Sequence, residues 1–134
     1  MAALTAARST QRQMSSESPL ISGVSLPVKG ATTIFQGSIV YINAGFAEPG
    51  STSTAKLAAG MAEETVVNAG ANGAVNIRVR RGVFKWANAD FVAADLYTTA
   101  YANDDQTVSK VSTGKSVLGK CVQIDSDGVW IEVY

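Results

Sequence analysis

The sequence predicts an all-β protein, a small antiparallel β-barrel or β-sandwich with an extended N-terminal arm. Two observations carry that expectation. Short runs of alternating apolar and polar residues recur through residues 23–134, and clusters of Gly, Asn and Asp separate them at regular spacing. The clearest run is 74–86, AVNIRVRRGVFKW, in which Val75, Ile77 and Val79 alternate with Asn76, Arg78 and Arg80. That is the period of a strand with one face buried and one face wet. Arg81 and Gly82 interrupt the alternation and residues 83–86 resume it, so the strand should bend at Gly82 and continue around a core.

Taken in order, residues 1–22 stand apart from the rest. They are polar, rich in Ser, Thr and Gln, and without an apolar stripe. Such a segment buries too little to offset its chain entropy. It is expected to be an arm held by a partner chain, with a helix over its Ala-rich first residues as the other way to fix it. The β domain then spans 23–134. Val24, Leu26 and Val28 alternate with polar neighbours, and Pro27 confines that strand to an edge or an end. Residues 32–35 form a short strand, and the apolar run 38–42 suits a strand buried on both faces. Asn43, Ala44 and Gly45 make a turn, and 46–53, with its Pro49-Gly50 pair, reads as a loop.

Residues 55–64 read as helix by propensity, while a strand through Leu57–Ala62 competes with it, and the sequence leaves the two open. Residues 65–67 are strand-like and 68–73 a turn. After Trp86, residues 88–95 have room for one helical turn and 96–101 are rich in strand formers. The alternation at 107–111, the run 116–124, the hairpin loop 125–128 and the last strand 129–134 complete the chain. In that last strand Val129, Ile131 and Val133 share the inner face, leaving Trp130 and Tyr134 outward.

Composition excludes several classes of function. Eleven Lys and Arg balance 11 Asp and Glu, which argues against holding nucleic acid by bulk electrostatics. The chain has no histidine, and so lacks the commonest general base and metal ligand. Its one cysteine, Cys121, falls in an apolar run and reads as a small buried hydrophobe. No apolar run is long enough to span a bilayer, and the N-terminus carries no signal-peptide pattern. Gly114-Lys115-Ser116 ends like a phosphate-binding loop, but Ser109 stands where the leading glycine belongs and strand-like residues follow. The pairs Asp104/Asp105 and Asp125/Asp127 lack the further ligands of a calcium loop and read as turn chemistry. No enzymatic activity, cofactor, metal, nucleic acid or membrane is expected. Arg78, Arg80, Arg81 and Lys85 form a basic stripe on one strand face, either solvated or paired with acidic groups of a neighbouring subunit. With the aromatics, a subunit interface through Arg78, Arg80, Trp86, Trp130 and Tyr134 is expected.

With those residues in view, the chain resembles the capsid cement, or head-decoration, proteins of tailed bacteriophages. The matching features, in order, are residues 35–40 (FQGSIV), 43–46 (NAGF), 60–66 (GMAEETV) and 79–84 (VRRGVF). Tyr101 with Asp104-Asp105 and Thr107-Val108, Gly119-Lys120 and residues 127–131 (DGVWI) follow. The resemblance implies a compact β domain, trimeric, on the outer surface of the phage head and made in the bacterial host cytoplasm. Its partners would be the major capsid protein and two further copies of itself. The arm would lie along the capsid, with Ser15, Ser16, Pro19, Leu20 and Ile21 as its contact residues. The alternative is a phage tail, fibre or glycan-binding β-sandwich module, which needs exposed aromatics around a shallow site.

Overall fold

The computed structural model describes residues 23–133, so the expectations for Ser15, Ser16, Pro19, Leu20, Ile21 and the rest of 1–22, and for Tyr134, lie outside the described residues. The described chain is made almost entirely of strands and turns. The first part holds β1 (Gly23–Pro27), β2 (Thr32–Ile34), β3 (Ile39–Asn43), β4 (Phe46–Pro49), β5 (Leu57–Ala62), β6 (Val66–Asn68) and β7 (Asn76–Arg80). The second holds β8 (Val83–Asn88), a 3-10 turn at Ala93–Asp95, β9 (Thr99–Ala102), β10 (Thr107–Ser109), β11 (Val117–Asp125) and β12 (Gly128–Val133).

A five-stranded sheet, a two-stranded ribbon and a closed barrel divide these strands. The sheet has the order β1-β7-β5-β3-β4, and the ribbon pairs β2 with β6. The barrel closes in the order β10-β8-β12-β11-β9. Its pairs are antiparallel except β8 with β10, where Thr107 opposes Ala87 and Val108 opposes Asn88 in parallel. The corner expected at Gly82 is where the chain leaves one sheet for the other. β7 ends at Arg80, β8 starts at Val83, and Gly82 takes a φ of 154°, a conformation that side chains disfavour.

β3 couples the halves, and its apolar run explains how. Ile39, Val40 and Tyr41 are all fully buried, as expected of a strand covered on both faces. Ile39 and Tyr41 pack into the barrel core with Trp86, Leu118, Val129 and Ile131. Val40, on the opposite face, packs with Val28, Ile34, Ile77 and Val79. The Tyr41 hydroxyl donates to the Ser116 carbonyl at 2.8 Å and accepts from the Ala102 amide at 3.3 Å, fastening the first sheet to the barrel wall. Burial pushes the Tyr41 hydroxyl up to about 12, although the Ala102 amide favours the phenolate.

Three expectations are corrected or decided. Residues 46–49 form an edge strand rather than the start of a loop, because Ala44 and Gly45, at φ 50° and 89°, make a tight hairpin turn that returns the chain onto β3. Leu57–Ala62 is a strand, not a helix, paired with β3 on one side and β7 on the other. The strand expected from Leu96 begins only at Thr99. Tyr97 holds a left-handed φ of 65°, and the Thr98 amide turns back to the Asp95 carbonyl.

Candidate functional site

A groove of about 590 Å³ lies where the ribbon meets the barrel. Residues 35–38, entering β3, form one wall, β8 supplies Lys85, Trp86 and Ala87, and the β9–β10 loop supplies Asp105 and Gln106. Asp127, in the β11–β12 hairpin, closes one end. Backbone hydrogen bonds fix each wall. The Ile39 amide donates to the Asp105 carbonyl at 2.8 Å and the Ala87 amide to the Gln106 carbonyl at 2.9 Å. The Trp86 indole donates to the Gly37 carbonyl at 3.0 Å. The Asp104 carboxylate accepts from the amides of Gln106 and Thr107 at 2.9 and 2.8 Å, holding the loop shut. Lys85 reaches both oxygens of Asp127 at 2.9 Å, so its charge is compensated there.

A second, shallower hollow surrounds Glu48, which is 7% exposed. Lys56 approaches it at 3.0 Å and Lys29 at 3.4 Å. Burial alone would raise the Glu48 carboxyl. The hydrogen bonds and charges of Lys56 and then Lys29 outweigh it and hold the group below its ordinary range. A third feature is an apolar rim at one end of the barrel. Val92, Leu96 and Tyr97 flank the 3-10 turn at 56%, 44% and 69% exposure. Lys110 pairs with Asp95 at 3.1 Å and so brings the exposed Val111 to the same end. Among the described residues, no group of three or more metal-ligating side chains occurs, and no helix is long and apolar enough to cross a membrane.

No family model, curated protein or solved structure matches the chain. Function must therefore be read from these surfaces and from the sequence itself.

The structure places the residues singled out in the sequence as follows. The basic stripe does not stay on one face. Arg80 and Arg78 lie on β7 and converge on Glu63 at 2.7 and 3.8 Å, whereas Lys85 belongs to the barrel and pairs with Asp127. Glu63 and Asp127 are the acidic groups these three side chains meet within the chain. Trp86, one of the residues expected at a subunit interface, is 7% exposed within the chain and stacks obliquely against Phe84, ring centroids 5.7 Å apart. Alternation along β8 turns Phe84 and Trp86 inward and Lys85 outward. Trp130 lies on the outer face of β12, half-buried, while Val129, Ile131 and Val133 fill the core. Its indole donates to Asp125 at 2.7 Å, and Lys85 sits 5.8 Å from the ring centroid. Cys121 is fully buried, and burial raises its thiol.

Sequence reasoning missed Phe35 and Tyr97, 60% and 69% exposed. For Phe35 the signal existed, since alternation puts it on the face opposite the buried Ile34. For Tyr97 it did not, because only the left-handed turn exposes it. Gln36 and Gln106 reach one groove from sites 70 positions apart, which no local pattern encodes.

Proposed function

We propose that the protein is a structural decoration protein of a tailed-phage head, binding the outer surface of the expanded shell as a homotrimer and stabilising it against internal DNA pressure. The observation that carries this reading is the ordered set of residues between Phe35 and Ile131 that resembles the cement proteins. The all-β architecture agrees with it. So does the apolar rim at Val92, Leu96, Tyr97 and Val111, a surface suited to burial against protein. A bulky residue held at φ 65° costs conformational energy, and at Tyr97 the backbone amide's hydrogen bond to the Cys121 carbonyl at 2.7 Å helps hold it there.

The mechanism is mass action. A protein that binds the expanded lattice and not the contracted one stabilises the expanded state by its binding free energy, about 2.7 kcal/mol per site at a hundred times the dissociation constant. Bridging neighbouring capsomers makes later contacts intramolecular, so modest contacts give long residence.

The experiment is addition of the purified protein to expanded heads that lack it. Full-length protein should saturate the heads and raise their disruption temperature. Removing residues 1–22 should sharply weaken binding, since an extended arm contributes backbone pairing the globular part does not replace. Tyr97→Ala should weaken it about 30-fold, the effect of a 2 kcal/mol contact residue. If the full-length protein leaves the heads bare, the decoration reading fails.

A further inference from the structure

We propose that the groove between residues 35–38 and the barrel binds an uncharged saccharide. The inference stands apart from the decoration reading, whose test is head binding.

The first observation is the lining. Phe35 holds its ring 60% exposed beside the groove, although Ile34 next to it is fully buried. The electron-rich face of an aromatic ring attracts polarised C–H groups, which a pyranose presents on one side as a flat apolar patch. Around that ring stand planar polar groups without partners. Among the described residues, the side chains of Gln36, Asp105 and Gln106 make no hydrogen bond. Each amide offers two donors and a carbonyl acceptor, and the carboxylate accepts only. Adjacent sugar hydroxyls, each both donor and acceptor, complement such a set, whereas an apolar ligand would strand it.

Rigidity is the second observation. The walls are held by the Ile39–Asp105, Ala87–Gln106 and Trp86–Gly37 hydrogen bonds, and the Gln36 backbone amide donates to the Thr65 hydroxyl at 2.9 Å. The backbone carrying these three polar side chains is therefore held by the protein's own hydrogen bonds. Binding then costs little beyond fixing side chains, which matters for ligands as weakly held as sugars.

Charge selects among saccharides. Lys85 is neutralised by Asp127, and Asp105 leaves the groove with a surplus negative charge. Uronic acids, sialic acids, sulfated sugars and phosphates meet repulsion there; neutral sugars do not. The volume, about 590 Å³, lies within the usual range for small-molecule sites and accommodates the end of an oligosaccharide.

The test is a nitrogen–proton NMR titration of the full-length protein with lactose, maltohexaose, cellohexaose, mannotriose and triacetylchitotriose, with trigalacturonate as the anionic comparison. At least one neutral probe should shift the Gln36 and Gln106 side-chain amides and the Trp86 indole signal saturably, with trigalacturonate at least 10-fold weaker. Phe35→Ala and, separately, Gln106→Ala should each weaken that binding 10-fold or more; both side chains are outside the cores, so unchanged dispersion elsewhere reports an intact fold. The proposal is overturned if none of the five neutral probes moves those signals, if both variants bind as the parent does, or if trigalacturonate binds equally well.

Discussion

Tyr41 shows how much one side chain decides here. Its ring fills the barrel core from a strand of the other sheet, and its hydroxyl serves a carbonyl on one side and an amide on the other. Tyr41→Phe keeps the ring but leaves the Ser116 carbonyl and Ala102 amide unpaired in an apolar setting, so a loss of about 1–3 kcal/mol in urea unfolding is expected. The same residue fixes an alkaline limit. Below pH 10 the hydroxyl is protonated in both folded and unfolded chains and pH has no effect through it. Between about 10 and about 12 the unfolded chain ionises first, so it binds fewer protons than the folded one and stability falls as pH rises. Tyr41→Phe should lack that part of the decline, measured as the change of the urea midpoint with pH; an equal slope in both proteins would place the effect on other groups.

At the scale of the element, β5 is the strand whose conformation depends most on context. Across residues 55–64 Ala, Leu, Met and Glu favour helix, and nothing local contradicts them except Gly60. The structure shows why Gly is there: its φ is 144°, and a Cβ would collide with the Arg80 carbonyl of the neighbouring strand. Gly60→Ala should therefore cost more than 2 kcal/mol, through both strain and the forced separation of β5 from β7. A thermal midpoint within a few degrees of the parent's would show that the strands yield. β5 also marks what a sequence exposes and what it hides. The alternation of β7, the doubly buried β3, the corner at Gly82 and the hairpin at 125–128 were legible because their cause is local periodicity or turn chemistry. β4 was hidden because Pro49 and Gly50 signal a loop, whereas Pro49 ends an edge strand whose pairing is set by the Ala44-Gly45 turn before it. Of the groove, only the exposure of Phe35 could be read locally. The meeting of Gln36, Asp105 and Gln106 is a product of barrel closure.

For the whole molecule, β3 shares its side chains between two cores, and neither core is complete without it. The halves should therefore unfold together. Both tryptophans, Trp86 and Trp130, lie in the barrel, so their fluorescence reports that half alone, while far-ultraviolet circular dichroism reports all strands. The two signals should give one coincident urea transition. Val40→Ala, buried in the other core, should move the tryptophan transition by as much as the dichroism transition, about 1–3 kcal/mol. Separate midpoints would mean that the halves are independent.

Closure of the barrel by β10 has a consequence for crowding. An open sheet offers a row of unpaired amides and carbonyls on which another chain can polymerise, and the hazard grows with local concentration. The three residues of β10 pair with β8 on one side and β9 on the other, so the second half of the molecule presents no such template. Many copies can then be packed side by side at very high density without seeding fibres from that half, a property that a short parallel strand supplies with two residue pairs.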